Sequence, residues 1–188
     1  QRRYRVDHLM LNRRRLNDTF YTDTLFSKVK SMNGNTCAQV YSNGSFTKVF
    51  PMADKTGARV GQTLTDFADD IGIPDTLVMD LAPEQAGKHT EMQTEARRLR
   101  VRIRYTEKGR SEQNHTAEGE IGQLKRRWKH QMTTKNVPRC LWDYGLVHEA
   151  EVLSILARGK DQVPGLEKVL GQTIDISEYL DFGIWDLV

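Results

Sequence analysis

The sequence predicts an α/β fold in which a mixed five-stranded sheet is flanked by helices. Extended segments at about 19–29, 35–43 and 46–51 are separated by Asn33-Gly34 and Asn43-Gly44, and Asn-Gly is the strongest short-range signal for a hairpin. Two further strand-like runs end near residues 80 and 105, and segments with helical periodicity separate and follow them. We therefore expect three antiparallel strands, and then helix, strand, helix, strand and two helices.

The predicted helices have recognisable periodicity or end signals. The first covers about 57–71, where the apolar side chains recur at helical spacing and Gly72 provides a stop. Pro74 then opens the strand that ends at Asp80, and a short helix covers about 90–98. The last two helices cover about 112–132 and 138–158, and the second of these begins at Pro138 and ends before Gly159.

The segment 98–105 has the clearest alternation in the chain. Its odd positions are Leu99, Val101, Ile103 and Tyr105, and its even positions are Arg98, Arg100, Arg102 and Arg104. A strand with this pattern presents four guanidinium groups on one face. Two roles remain open and are compatible: the arginines protect an edge strand from pairing with other chains, or they bind phosphates.

The composition is that of a globular domain with an extensive charged surface. The 188 residues are 38% hydrophobic and 28% charged, which is enough chain for a substantial core. We expect no membrane association, because the sequence has no apolar run of transmembrane length. Cys37 and Cys140 lie far apart, so a disulfide framework or a zinc finger is not expected. The chain starts with Gln1 and no signal core follows, and we expect a fragment of a polyprotein.

Charge is distributed unevenly along the chain. The net charge is +3, yet residues 1–15 contain six arginines and one aspartate, whereas residues 169–188 contain four acidic residues and no lysine or arginine. This asymmetry favours a nucleic-acid-facing end and an acidic tail. The alternative is a solvated segment at each terminus, and for the acidic tail we favour that alternative. The predicted organisation is a basic linker at 1–17, a core domain at 18–158 and an acidic extension at 159–188.

Three carboxylates lie on three separate predicted elements. Asp23 interrupts the first strand, Asp80 ends a later strand, and Glu118 lies near the start of a helix. Hard divalent cations take oxygen ligands, and two cations about 3.5–4 Å apart need a shared carboxylate. The alternative is that these are surface acids, since the chain has 25 acidic residues. Asp18 is a rival to Asp23, but it lies in a polar stretch before the strand.

The helix with Glu118 predicts a half-polar face beside a buried stripe. At 100° per residue, Ala117, Ile121, Leu124 and Trp128 fall on one stripe. Asn114, Lys125 and Lys129 fall on the same side as Glu118, with Arg126 further round, whereas Glu120 lies on the opposite shoulder. A carboxylate flanked by cations suits a metal site whose neighbours hold phosphates, and ordinary helix charge pairing explains the lysines equally well.

These residues, in this order, resemble the integrase catalytic core of copia-type (long-terminal-repeat) retrotransposons, in the retroviral-integrase-like superfamily. That family has two aspartates and a glutamate roughly 35 residues after the second; here 37 residues lie between Asp80 and Glu118. The resemblance runs from about residue 18 to 182. It is carried by residues 21–30, 34–41, 77–80 and 113–118, and by a tail that includes residues 164–167, Gly171, 175–177 and Phe182. Two departures are His115, where the family has glycine, and residues 81–83, where it has an Asn-Gly turn.

The resemblance implies an RNase H-like fold and a polynucleotidyl transferase that integrates retroelement DNA by 3′-end processing and strand transfer. Asp23, Asp80 and Glu118 would be the catalytic residues and would hold two Mg²⁺ ions, with Mn²⁺ as a substitute. The expected DNA-binding residues are Asn114, Lys125, Arg126, Lys129, Arg100, Arg102 and Arg104.

Partners and alternatives follow from the same resemblance. The expected partners are double-stranded DNA, as element ends and target, and further copies of the chain. The expected location is the nucleus, reached through a cytoplasmic virus-like particle. The alternatives are a catalytically inactive, DNA-binding relic of an integrase, and an RNase H-like nuclease that cuts strands without joining them.

Overall fold

The computed structural model describes residues 13–80, 90–106, 115–158, 161–171, 173, 175–177 and 185, the side chains of 115–117 excepted. The strands are β1 (Arg15–Phe26), β2 (Cys37–Ser42), β3 (Thr47–Met52), β4 (Ile73–Asp80) and β5 (Arg102–Thr106). The helices are α1 (Gly57–Asp70), α2 (Glu91–Arg98), α3 (His115–Thr134), α4 (Trp142–Ile155) and α5 (Gly165–Leu170), with a 3₁₀ turn at Arg139–Leu141 before α4. No helix in this part of the chain is long and apolar enough to cross a membrane.

The five strands form one mixed sheet in the order β3-β2-β1-β4-β5. The pairs β1–β2 and β2–β3 are antiparallel, whereas β1–β4 and β4–β5 are parallel. The predicted mixed five-stranded sheet flanked by helices is therefore confirmed. Because β1 and β4 are adjacent and parallel, their carboxyl ends meet at the same edge of the sheet.

Helices cover both faces of the sheet, and each face has its own apolar cluster. On one face, α1 and α2 pack over Phe20, Tyr41 and Leu77; the Phe67 ring of α1 stacks on Tyr41 and meets Phe20 edge-on. On the other face, α3 and α4 pack over side chains such as Leu25 and Val40 of the central strands. Alternate residues of β1 therefore point toward opposite helical layers. Asp23 shares the face of Leu25, toward α3 and α4, whereas Thr22 and Thr24 share the face of Phe20.

The arginine-rich segment is shorter as a strand than its alternation predicts. Arg98 ends α2 and pairs with Glu95 one turn earlier, at 2.7 Å. Arg100 has a φ of 56°, a left-handed conformation that cannot continue a strand. The prediction of four arginines on one strand face is therefore wrong. Only Arg102 and Arg104 stay in register on β5, and both are exposed.

Residues on both sides of the segment 18–158 contact the sheet or its turns. β1 begins at Arg15, which pairs with Ile73, and the guanidinium group of Arg14 donates to the carbonyl of Leu170 at the end of α5. At Gly165, the first residue of α5, an added Cβ would lie 2.0 Å from the Ser45 carbonyl oxygen. α5 therefore packs directly on the β2–β3 turn.

Candidate active site

Asp23 and Asp80 occupy equivalent positions on neighbouring parallel strands. The register pairs Thr22 of β1 with Met79 of β4, so the next residue on each strand is the aspartate. Equivalent positions on paired parallel strands project from the same face of the sheet. The topology thus brings together two carboxylates that are far apart in the sequence.

A small cleft of about 60 Å³ opens beside the two aspartates. Its lining residues are Thr22, Asp23, Thr24, Gln39, Lys55, Met79 and Asp80. This volume has room for a few water molecules or a partly hydrated ion. It is far below the roughly 300–1,000 Å³ of a typical small-molecule pocket. The cleft therefore suits an ion and one charged group of a larger substrate, and not an enclosed organic ligand.

The electrostatics of Asp23 reflect its position in this cleft. Burial by the surrounding atoms raises the pKa of its carboxyl group, and the nearby charge of Asp80 raises it further. The Thr24 amide, which donates to Asp23 Oδ1 at 2.7 Å, and the cations Lys125 and Lys55 lower the pKa, but they do not cancel the rise. Part of the Asp23 side chain is accessible to solvent. The raised pKa means that the ionised carboxylate is less stable here than in water, and a bound cation would offset this loss.

A hydrogen-bond network on the opposite face of β1 fixes the strand on both sides of Asp23. The Gln39 amide donates to the Thr22 hydroxyl at 2.6 Å, and the Thr24 hydroxyl donates to Gln39 Oε1 at 2.7 Å. The Thr22 hydroxyl in turn donates to the Val40 carbonyl at 2.9 Å. These bonds tie β1 to β2 at residues 22 and 24, so the backbone that carries Asp23 is held in place.

Asp80 has its own support from β5. Thr106 is its register partner, and the Thr106 hydroxyl donates to Asp80 Oδ1 at 2.5 Å. This bond fixes the orientation of the carboxylate about the end of β4. The end of β5 thus orients Asp80 at the edge of the cleft.

The structure places Glu118 in the first turn of α3, exposed to solvent. The predicted stripe holds for the side chains that are described, because Ile121 and Leu124 are buried and Trp128 packs against the same cluster. Lys125 is the residue of α3 whose charge reaches Asp23. Within the described residues, no group of three or more acidic, histidine or cysteine side chains is close enough to hold a metal ion. Glu118 is therefore not gathered with Asp23 and Asp80 into one cluster.

The predicted DNA-binding residues fall into three positions. Lys125, Arg126 and Lys129 are exposed on α3. Arg102 and Arg104 are exposed on β5; Arg104 is paired in register with Val78, two residues before Asp80. Arg100 lies before β5, where its carbonyl accepts a hydrogen bond from Arg15 at 3.0 Å. Asn114 lies outside the described residues.

The rival aspartate lies elsewhere on β1. Asp18 accepts a hydrogen bond from its neighbour, the Thr19 amide, at 2.8 Å, and another from the Asn43 side chain in the β2–β3 turn. It is five residues before Asp23 on the same strand, toward the amino end of β1. The structure thus brings Asp23, and not Asp18, together with Asp80.

Sequence reasoning missed Lys55 and Thr106. Lys55 follows β3 and reaches the cleft only because β3, β2 and β1 are neighbours in the sheet, and no local pattern marks it. Thr106 could have been found, since a strand parallel to β4 must place some residue opposite Asp80. The error in the start of the arginine-rich strand concealed that register.

Three solved structures of retroviral integrases have the same architecture as this chain. The integrase in the simian T-cell lymphotropic virus intasome, determined with the PP2A regulatory subunit B56 gamma, matches with a TM-score of 0.65 and 16% identity over 80% of this chain. The HTLV-2 integrase catalytic core domain in complex with magnesium (trimeric form) matches at 0.62 and 13% over 81%. The catalytic core domain of BIV integrase matches at 0.64 and 11% over 82%. The chain has the fold of a retroviral integrase catalytic core.

The matches cover different shares of the three solved chains. This chain spans about half, 53%, of the intasome integrase, but 96% and 95% of the two isolated core domains. No protein-family model matches the sequence, and no curated protein matches it either. The predicted RNase H-like fold is confirmed, and at 11–16% identity the likeness concerns the fold.

The residues present fit a hard divalent cation in part. Asp23 and Asp80 supply carboxylate oxygens, the ligands that Mg²⁺ and Mn²⁺ prefer, and their like charges raise the pKa of Asp23, an arrangement that a cation stabilises. The pair therefore fits one ion. A second ion needs a further ligand beside them, and the exposed Glu118 of α3 is the acid that the sequence offers for it.

Proposed function

We propose that this chain is the catalytic core of a DDE-type polynucleotidyl transferase that processes and joins the DNA ends of a copia-type retroelement. The observation that carries the proposal is the placement of Asp23 and Asp80 side by side on two parallel strands, in one cleft with Lys55. A strand interior does not need a charged residue at position 23 for stability, and here the charge is held at a cost. Such a raised pKa beside a like charge in a cleft is typical of functional sites.

The carboxylates of Asp23 and Asp80 would hold one Mg²⁺ or Mn²⁺ between them, and Glu118 would complete a second position. Ions bound there would activate a water molecule or a 3′-hydroxyl group and stabilise the leaving oxygen. Thr106 orients the Asp80 carboxylate through its hydroxyl. The Thr22–Gln39–Thr24 hydrogen bonds fix the backbone at Asp23, so that little reorganisation is needed when the substrate binds.

The cations around the cleft would hold the DNA backbone. Lys125 lies near enough to Asp23 to lower its pKa, and Lys129 lies one turn further along the exposed side of α3. Arg102 and Arg104 extend the positive surface along β5 on the face of Asp80. Phosphate contacts of this kind position a duplex without reading its sequence, so we assign these residues, with Arg126, Arg100 and Asn114, to DNA binding.

The remaining assignments rest on the likeness to integrases. One similar core domain was determined with magnesium in a trimeric form, and another structure is an intasome. We extend to this chain a magnesium cofactor, double-stranded DNA as partner, assembly with further copies of itself, and a site of action in the nucleus after passage through a cytoplasmic virus-like particle.

One observation favours a second candidate, a DNA-binding relic without catalysis. The described residues contain no three-ligand metal group, which is what a chain would show if it kept the fold and the basic surface but had lost the site. The two candidates make opposite predictions for metal binding.

Titration calorimetry with Mg²⁺ and Mn²⁺ tests the proposal. The native chain should bind, and Asp23→Asn and Asp80→Asn should each lose binding by about tenfold or more, because each removes a charged oxygen ligand. Glu118→Gln should weaken the second ion. The matched control is Asp75→Asn, since Asp75 lies on β4 and bonds the Thr76 hydroxyl away from the cleft. Equal weak binding by the native chain and all variants would contradict the catalytic assignment and support the relic.

A DNA assay then separates joining from simple hydrolysis. Labelled duplexes with a recessed 3′ end should be joined to a second duplex in Mn²⁺. Strand cutting without joined product, from a chain that binds metal normally, would support the nuclease.

A further inference from the structure

Phe26, the last residue of β1, is unusually exposed for an aromatic side chain. Its relative exposure is 67%, and the ammonium group of Lys55 lies 5.5 Å from its ring centroid. A cation within about 6 Å of a ring face makes a weak favourable contact, but this contact leaves most of the ring in water. The position therefore presents an aromatic surface with the Lys55 ammonium group over one part of it.

This aromatic surface is linked to the cleft through Lys55. Strand alternation places Phe26 on the same face of β1 as Thr22 and Thr24, and therefore on the face opposite Asp23. Thr22 and Thr24 both line the cleft. Phe26 lies three positions beyond Asp23, a distance of roughly 10 Å along a strand. Lys55 connects the two features, because it lines the cleft and also contacts the ring.

We propose that Phe26 is a stacking position for an unpaired nucleobase of the DNA strand that enters the cleft, and that Lys55 holds the adjoining phosphate. This inference rests on the proposed function and adds to it a preference for substrates whose terminal bases are open. An aromatic ring beside a cation is the arrangement with which proteins hold single-stranded nucleic acid. Stacking does not depend on the base, since every base has a π-face.

The chemistry of the site favours a nucleobase over a protein segment as the occupant. The surface is one ring with a lysine over part of it, and the same lysine lines a cleft that contains two carboxylates. A docking site for a protein is expected to have an apolar centre enclosed by a polar rim. In addition, a cleft of about 60 Å³ accommodates a group of one strand and not a duplex, so bases close to the reacting phosphate must find another partner.

The test compares the binding of two DNA substrates by the full chain. One is a fully paired duplex, and the other has three unpaired nucleotides at its end, with 2-aminopurine in place of one base. Binding is measured at fixed salt with Ca²⁺ in place of Mg²⁺, so that an oxygen-ligated ion is supplied while cleavage is slow. Stacking should quench the 2-aminopurine fluorescence, and the open end should bind more tightly than the paired end.

Four variants locate the effect. Phe26→Ala should lose the preference for the open end by about fivefold or more, the effect of removing one stacking ring, and should restore the fluorescence. Phe26→Tyr should keep both signals. Lys55→Met should weaken the open-end complex and reduce its dependence on salt. The control is Met32→Ala, because Met32 is 71% exposed in the β1–β2 connection but does not line the cleft.

The outcomes distinguish this inference from the proposed function. If the native chain binds paired and open ends equally, or if Phe26→Ala keeps the preference, the stacking position is overturned while duplex binding and joining stand. If no DNA binds at all, both proposals fail. If Phe26→Ala alters the oligomeric state and leaves DNA binding unchanged, the ring contacts a second copy of the chain, and the stacking assignment is again overturned.

Discussion

Two aspartates of this chain, Asp23 and Asp143, have opposite relations to their surroundings. Asp143 is 2% exposed at the start of α4 and accepts hydrogen bonds from Asn33 at 3.2 Å, Asn35 at 2.8 Å and the Tyr144 amide at 3.0 Å. Burial alone would raise the pKa of Asp143, but the bonds from Ser31, the two asparagines and Tyr144 together lower it. Asp23 has one amide donor and a like-charged neighbour, and its pKa is raised.

The difference separates a carboxylate that stabilises the fold from one that is available to a ligand. The oxygens of Asp143 are occupied by donors that join the β1–β2 connection to α4, and its ionised form is the stable one. Asp23 stands in an open cleft where desolvation and Asp80 disfavour its charge. The first should matter for stability and not for chemistry, and the second for chemistry and not for stability.

The largest effect is expected for activity at the cleft. Asp23→Asn or Asp80→Asn should lower the rate of strand joining by about a thousandfold, roughly 4 kcal/mol, because a metal ligand contributes several kcal/mol to such reactions. The free energy of unfolding should be unchanged or slightly higher, since a like-charge repulsion is removed. Joining assays and urea unfolding on the same preparations check both. A loss of stability at Asp23 as large as that at Asp143 would remove the distinction.

The next effect is expected for stability at α4. Asp143→Ala should lower the free energy of unfolding by about 3 kcal/mol, because it removes the hydrogen bonds of a buried carboxylate, and bonds to charged groups contribute about 1.5–3 kcal/mol. Urea unfolding should show a lower midpoint with an unchanged slope. Joining activity per folded molecule should stay close to native, measured below the new midpoint. Asp23→Ala is the matched control and should not lower the midpoint.

A smaller effect is expected at a second buried acid. Glu149 of α4 is 2% exposed, and Arg127 of α3 donates to it at 2.9 Å. Arg127→Met would leave this carboxylate buried and unpaired, and we expect a loss of about 2 kcal/mol, below the usual 3–5 because the arginine is partly solvated. The double variant Arg127→Met/Glu149→Gln should recover part of the loss in thermal unfolding. A double variant no more stable than the single would show that packing, and not the unpaired charge, is responsible.

The smallest effect is a difference in pH dependence. The folded-state pKa of Asp143 is lowered, so its contribution is present above the ordinary value of about 3.9 and is lost as pH falls through the folded pKa. The folded-state pKa of Asp23 is raised, so the folded chain takes up that proton at a higher pH than the unfolded chain does. Asp23→Asn should exceed the native chain in stability near pH 7, and the advantage should vanish as pH falls through the raised pKa.

Metal binding should follow the same titration at Asp23. As the pH is lowered, protons compete with Mg²⁺ for the Asp23 carboxylate. Because the pKa of Asp23 is raised, the Mg²⁺ affinity should start to decrease while the pH is still above about 3.9, where Asp143 remains ionised. Calorimetry between pH 4 and 7 measures this. An affinity that is flat over this range would place the metal away from Asp23.

Local signals predicted much of the fold. Asn43-Gly44 gave the β2–β3 hairpin because Gly44 adopts a φ of 90°, which an Asn-Gly turn supplies directly. The end of α2 was harder, since Arg98 to Arg104 alternates as a strand would and only Arg100 breaks the pattern through its backbone conformation. α5 was missed because six residues are too few for a periodic signal. Its position depends on contacts with Ser45 and Arg14, which are distant in the sequence.

The sequence identified the two aspartates of the site, but it did not predict how the fold brings them together. Asp23 stood out as a charge in a strand and Asp80 as a charge at a strand end, and the structure brings these two together. No sequence pattern states that β4 pairs with β1, or that Lys55 reaches the same cleft. The distance of Glu118 from the pair depends on how α3 approaches the sheet, which its own amphipathic pattern leaves free.

The parallel pairing of β1 with β4 also affects when the site can form. The two strands are joined by β2, β3 and α1, so their contact closes a long loop, and contacts of this kind form slowly compared with helices and hairpins. Neither strand has a metal-binding pair by itself. During refolding, we expect compaction and helical structure to come first and cation affinity to come last. Under the proposed function, a chain still emerging from the ribosome would then be unable to cut the nucleic acid around it.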